Sequence, residues 1–174
     1  MEEKKKVLTR IDHDESGPRT RYEEIVVGGD LGSLEWEVTE EDIAKQCLID
    51  DDYCEWYVSD DTPWGGRIAP PQVNYRPPRW LLSRNYNIRG VFYKWEMENY
   101  VPLKPGMKVK VSGKIKDKWI KHNKEFVSYE VIGEDMADGT LLFRTVRAHA
   151  LDVIDRDAPR AGEGVDSGPK PEKI

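Results

Sequence analysis

From Met107 onward the chain alternates apolar and charged residues with period two, and this limits the folds open to it more than any other feature. Met107, Val109 and Val111 alternate with Lys108 and Lys110, so one face of an extended segment is apolar and the other wet, as in a half-buried antiparallel strand. His122-Asn123 reads as a hairpin turn leading to Phe126, Val127, Tyr129 and Val131. Asp138-Gly139 reads as a second, before a strand over Leu141 to Ile154. Val91 to Tyr100 adds another strand, closed by the turn Val101 to Gly106. The second half is therefore an antiparallel meander.

The first half mixes element types. Ile25 to Val27 and Leu34 to Val38 read as short strands around a Gly28-Gly29-Asp30 turn. Thr39 is a helix N-cap followed by Glu40, Glu41 and Asp42 on the first turn, and Ile43, Cys47 and Leu48 form that helix's apolar stripe. Pro77-Pro78 sets the first turn of a second short helix, Pro78 to Arg84. The order of strands, helices and meander predicts an α+β domain with one curved sheet around a helix. Residues 1–20 and 155–174 are rich in charge, with Gly and Pro in the second, so they read as a flexible arm and a disordered tail around a folded domain at 21–154.

Composition narrows the function. The net charge of −6 argues against a surface built for nucleic acid or anionic membrane. No apolar run approaches membrane-spanning length and MEEKKKVLTR lacks a signal region, so a cytoplasmic protein is expected. Cys47 and Cys54 form no disulfide framework and have no metal-ligand spacing, so no metal is expected.

Chemistry concentrates between Asp50 and Pro71, DDDYCEWYVSDDTPWGGRIAPP. From Thr62 to Trp95 there is no Asp or Glu, while Arg67, Arg76, Arg79, Arg84, Arg89 and Lys94 all occur. An acidic cluster beside a basic, glycine-hinged segment predicts a pocket with a proton-handling end and an anion-binding end. Burying one of the adjacent carboxylates would raise its pKa toward general-acid use. His149 reads as a core or interface histidine.

Three segments resemble the MaoC-like hydratases and dehydratases, which have the hot-dog fold. Val38-Thr-Glu-Glu-Asp-Ile43 resembles the start of that family's short helix. Pro63-Trp-Gly-Gly-Arg-Ile-Ala69 resembles its glycine turn into the central helix, and Pro102-Leu-Lys-Pro-Gly106-Met-Lys-Val109 the turn before its next strand. The resemblance runs from Arg21 to Ile154. It implies a curved antiparallel sheet wrapped around a central helix. It also implies addition or removal of water across the 2,3 bond of an acyl-CoA or carrier-bound thioester, without a cofactor. That reaction needs an acid, a base and a donor to the thioester oxygen.

Catalytic members use an Asp and a His five residues apart, with a Gly N–H at the helix start. Here those positions fall near Leu48 and Tyr53, and no histidine lies between His13 and His122. The family's Ala-His-Gly step is Ala69-Pro70-Pro71, and Pro71 has no N–H. This form looks more like the N-terminal dehydratase module of fatty-acid-synthase type, the substrate-holding half of a pair.

The resemblance thus points to Asp52, Asp51, Tyr53 and Tyr57 for proton handling and orientation. Trp64, Gly65, Gly66, Arg67 and Ala69 would hold the substrate, with Arg84 and Arg89 toward its phosphates. A homodimer, or a heterodimer with a second hot-dog subunit, is the implied assembly. The alternatives are a non-catalytic thioester-binding subunit, a hot-dog thioesterase, and a nucleic-acid module built on Tyr75, Trp80, Tyr86 and the lysines. The acid-free segment argues against the thioesterase, and the acidic chain against the last.

Overall fold

The computed structural model describes residues 19–88 and 90–151. The expected arm and tail lie outside the described residues, apart from Arg19 and Thr20. The elements are β1 (Asp30–Glu37), α1 (Glu40–Asp50), α2 (Glu55–Val58), α3 (Arg76–Asn85), β2 (Gly90–Asn99), β3 (Lys108–Lys121), β4 (Lys124–Asp135) and β5 (Leu141–Leu151), with short 3-10 turns at Tyr22–Glu24 and Pro71–Tyr75.

The sheet is antiparallel throughout, in the order β1-β3-β4-β5-β2. Its centre is the meander that the alternation predicts. His122 and Asn123 both take positive φ, 50° and 58°, the hairpin geometry that suits a tight turn of this hand. The edges come from the first half: β1 lies on β3, and β2 lies on β5.

Alternation decides which face is buried. Val109, Val111 and Ile115 of β3, Val127, Tyr129 and Val131 of β4, and Phe143 of β5 are fully buried. Leu81 and Leu82 of α3 complete this core, and a Cβ at Gly113 of β3 would meet the Leu81 side chain at 3.3 Å. The central helix therefore lies against the inner face of the sheet.

Three local expectations are corrected. Ile25 to Val27 is not a strand: Val26 is 60% exposed, Val27 and Gly28 form a turn, and only Ile25 enters the core. The segment instead ties to β3, with Gly28 N–H donating to Ile115 O and Ile115 N–H donating to Gly29 O. Leu48 does not join the α1 stripe. Ile43 and Cys47, one turn apart, face inward, whereas Leu48 is rotated about 100° further round the helix and is 70% exposed. Lastly, α3 is longer than expected at both ends; it starts earlier because Pro77 and Pro78 occupy positions whose missing N–H groups have no partner in any helix.

Candidate active site

The three segments that suggest the family lie far apart in sequence but meet in space. Val38 N–H donates to Met107 O at 2.9 Å, and Gly106 N–H donates to Val38 O at 2.8 Å. Ala69 N–H donates to Leu103 O at 2.7 Å. Lys104 Nζ donates to the Trp64 carbonyl. Arg67 pairs with Glu40 Oε1 at 2.6 Å and lies 3.7 Å from Asp60. Gly65 and Gly66 carry φ of +68° and +127°, which only glycine adopts without strain. Together they turn the chain from α2 toward α3.

This arrangement has a chemical consequence. The Ala69 amide is committed to Leu103, and Pro70 and Pro71 have no N–H to give. No backbone donor at this step is free to meet a thioester oxygen.

The acidic loop lies beside the same turn. Ile68 N–H donates to Trp56 O at 3.0 Å, and Trp56 packs edge-on against Trp64 with centroids 6.1 Å apart. Asp51 ends α1 in the left-handed conformation, φ 50°. Asp52 Oδ1 accepts the Cys54 N–H at 3.0 Å. Asp51, Asp52 and Tyr53 are exposed, whereas Tyr57 packs against the core. Burial, and then the Asp52 charge, push the Tyr57 phenol up, so it stays protonated and can donate.

Trp64, Gly65, Gly66, Arg67 and Ala69 thus lie on one turn joined to the acidic loop through Trp56, and in that loop Asp52 is close enough to Tyr57 to act on it. Arg84 is not part of this group: it is exposed on the last turn of α3, with Nη1 3.4 Å from Ser33 O. Arg89 lies outside the described residues.

A second group of polar side chains sits beneath Pro71–Tyr75, on the inner face of β4 and β5. Arg147 is fully buried, and Tyr129, Asn74, Thr145 and His149 are nearly or fully so. The Arg147 guanidinium donates from Nη1 to Tyr75 O at 2.6 Å, from Nη2 to Asn74 O at 3.5 Å and from Nε to Thr145 Oγ1 at 3.4 Å. The rings of Tyr75, Trp95 and Phe92 surround it at 5.0, 5.2 and 5.7 Å, a cation–π box. Trp95 Nε1 donates to Thr145 Oγ1, which donates onward to Glu96 O.

His149 packs at a tilt against Phe92 with centroids 4.4 Å apart and stacks on Tyr129, and its Nε2 lies 3.2 Å from Tyr129 Oη. Burial, then the charges of Arg79 and Arg147, push its pKa down to about 4. The ring is therefore neutral at ordinary pH. Burial also pushes the Tyr129 phenol up, so two neutral groups share this hydrogen bond, its direction set by the histidine tautomer.

Arg79 of α3 completes the group, with Nη2 donating to Ile88 O at 2.7 Å and a buried Nη1 that has no hydrogen-bond partner. Sequence reasoning weighed Arg79 only as one arginine among several, placed His149 correctly as a buried residue, and missed Arg147 and Tyr129. Alternation along β5 sets Phe143, Thr145, Arg147, His149 and Leu151 on one face, yet Val146, Ala148 and Ala150 on the other look at least as apolar. The buried arginine is hidden by that ambiguity.

Three of the β3 lysines face carboxylates across the sheet. Pairing sets Lys108 opposite Glu37, Lys110 between Glu35 and Glu134, and Lys114 between Asp30 and Glu130.

No family model matches the sequence and no curated protein does. Solved structures do match. A monoamine oxidase regulatory protein from Archaeoglobus aligns over 78% of this chain and 96% of its own, with TM-score 0.65 at 18% identity. An R-hydratase, PhaJ1, from Pseudomonas aeruginosa aligns over 79% and 93%, with TM-score 0.62 at 15% identity. The HadBC 3R-hydroxyacyl-ACP dehydratase complex from Mycobacterium tuberculosis aligns over 72% and 100%, with TM-score 0.60 at 13% identity. The fold is the hot-dog fold. The hot-dog helix is α3, and the Gly65–Pro71 turn and the Arg147 group lie at its N-terminal end. No described helix is long and apolar enough to cross a membrane.

Proposed function

We propose that this hot-dog chain holds an acyl-CoA or carrier-bound enoyl or 3-hydroxyacyl thioester as one subunit of a hydratase/dehydratase, with a second hot-dog subunit supplying the acid–base pair. One observation carries the reading. The turn into α3 has the position and glycine geometry of a thioester site, but Ala69 N–H is bonded to Leu103 and two prolines follow. Losing one such donor typically costs roughly a hundred- to a thousandfold in rate. The buried histidine at the same helix end is locked neutral against Tyr129 and faces no carboxylate among its described contacts. The likeness to an R-hydratase and to a dehydratase complex of hot-dog subunits supports a hydratase/dehydratase reading with a hot-dog partner.

In this reading Trp64, Gly65, Gly66 and Ala69 line the thioester's path, and Arg67, braced by Glu40, shapes the turn. Arg84, exposed on the last turn of α3 and away from the glycine turn, has no part in it. Asp52 and Tyr57, with Asp51 and Tyr53 beside them, border the turn and carry no essential proton transfer in this reading, which leaves that to the partner subunit. The thioesterase reading has less support, since α3, RPPRWLLSRN, carries no carboxylate to activate water.

Native co-purification followed by an enoyl-thioester hydration assay tests the proposal. Activity is expected only when the recovered partner is present, with Asp52→Asn and Tyr53→Phe changing the rate of the pair less than tenfold. Full activity of the isolated chain would refute the holding role. Inactivity in both settings would refute the hydratase reading.

A further inference from the structure

The Arg147 group contains two guanidinium groups and no carboxylate. Among the described residues neither Arg79 nor Arg147 takes part in a salt bridge, and the titratable neighbours that act on them are the phenols Tyr129 and Tyr75 and, for Arg147, Arg79 itself, with no carboxylate. Buried charges in proteins are ordinarily paired, because leaving one uncompensated costs several kcal/mol. Here two cations share one interior site with a neutral histidine and a protonated phenol.

One donor also remains over: Arg79 Nη1 is buried without a partner. The rings between this group and solvent are those of Tyr75, Phe92 and Trp95. Tyr75 is 38% exposed and the other two are partly so. They lie on the Pro71–Tyr75 turn and on β2, the strand at the open edge of the sheet.

We propose that Arg79 and Arg147 form the seat of a carboxylate, the anionic end of a small ligand whose apolar or aromatic body lies against Tyr75, Phe92 and Trp95. Arg79 Nη1 supplies the free donor, and Arg147 supplies charge while it anchors the 3-10 turn. The planar guanidinium suits the two oxygens of a carboxylate. A neutral amide of the same shape offers no charge to balance the two cations.

The inference deepens the thioester reading in one respect, that the acyl group carries an acid remote from the thioester. It depends on that reading only for the identity of the other end. A carboxylate could reach the seat from a free ligand or from an acidic side chain of a second subunit. The observations favour the ligand, because the aromatic walls offer a ring or chain a body-sized contact.

The test uses the full chain, with benzoate and succinate as anionic probes and benzamide as the neutral control, read by thermal shift and calorimetry. Saturable binding of at least one carboxylate is expected, with benzamide binding at least tenfold more weakly. Arg79→Gln should weaken the carboxylate at least tenfold while circular dichroism shows an intact fold, and Arg79→Lys should restore part of the loss. Arg79 is chosen because Arg147 also holds the Pro71–Tyr75 turn, so its loss would confound binding with folding.

Equal binding of benzamide, no saturable binding by either carboxylate, or unchanged affinity in Arg79→Gln would overturn the seat. So would dissociation of an oligomer by Arg79→Gln without carboxylate binding, which would assign the counter-charge to a second subunit. Carboxylate binding by a protein inactive in every hydration assay would leave the seat standing and remove the hydratase reading alone.

Discussion

Arg147 is held by carbonyl oxygens and aromatic faces, so its charge is stabilised by dipoles and by no opposing charge. The neighbour that responds to this is His149. In the unfolded chain its pKa is near 6.5, and in the fold it is about 4. Above pH 6.5 both states are neutral and the residue contributes no pH dependence. Between 6.5 and 4 the unfolded chain takes up a proton that the fold refuses, so stability falls with pH, by at most roughly 3 kcal/mol near pH 4. His149→Gln keeps a hydrogen-bonding partner for Tyr129 and removes the titration. Melting curves from pH 7 to 4 should therefore fall less steeply for this variant than for the native protein. Parallel curves would show that acid lability arises elsewhere.

At the level of elements, the meander was legible because its residues obey period two over long strands and its turns carry turn chemistry. Thr39 was legible for the same kind of reason: its Oγ1 accepts the Asp42 N–H at 3.0 Å, as the N-cap pattern requires. Ile25 to Val27 misled because three apolar residues have no period, and the turn at Val27-Gly28 decides their conformation. The candidate site was legible only in its outline. The glycine turn and its partners were visible as motifs, whereas the Arg147 group depends on which face of β5 points inward. That choice is set by pairing with β4 and β2 and by no local pattern.

Close packing between β4 and β5 gives a test of this register. A Cβ on Gly133 would lie 2.2 Å from the Phe143 ring, and Phe143 is fully buried. Gly133→Ala should therefore lower stability by about 1–3 kcal/mol, measured by urea unfolding. An unchanged midpoint would mean that the ring has room the structure does not show.

For the whole molecule, the sheet has two unequal edges. Both carry an irregularity, β1 between Asp30 and Ser33 and β2 between Phe92 and Lys94, but β2 is the longer, ten residues against eight, and exposes Val91 at 70% and Tyr93 at 51%. A long edge strand with exposed apolar side chains invites pairing with another strand. Light scattering after size exclusion should give at least twice the mass of the chain, and Val91→Asp should move the population toward monomer without loss of secondary structure. A native protein that is monomeric at micromolar concentration would exclude this edge as a self-association surface.

The bond from Arg147 to the Tyr75 carbonyl spans 72 residues. Closing so long a loop is slow compared with forming the hairpins of the meander. During synthesis the Pro71–Tyr75 turn leaves the ribosome well before the guanidinium that holds it exists. The start of the central helix is therefore assembled late and from the far end of the domain, and a chain interrupted between β2 and β5 would present Tyr75, Phe92 and Trp95 without the charge around which they close.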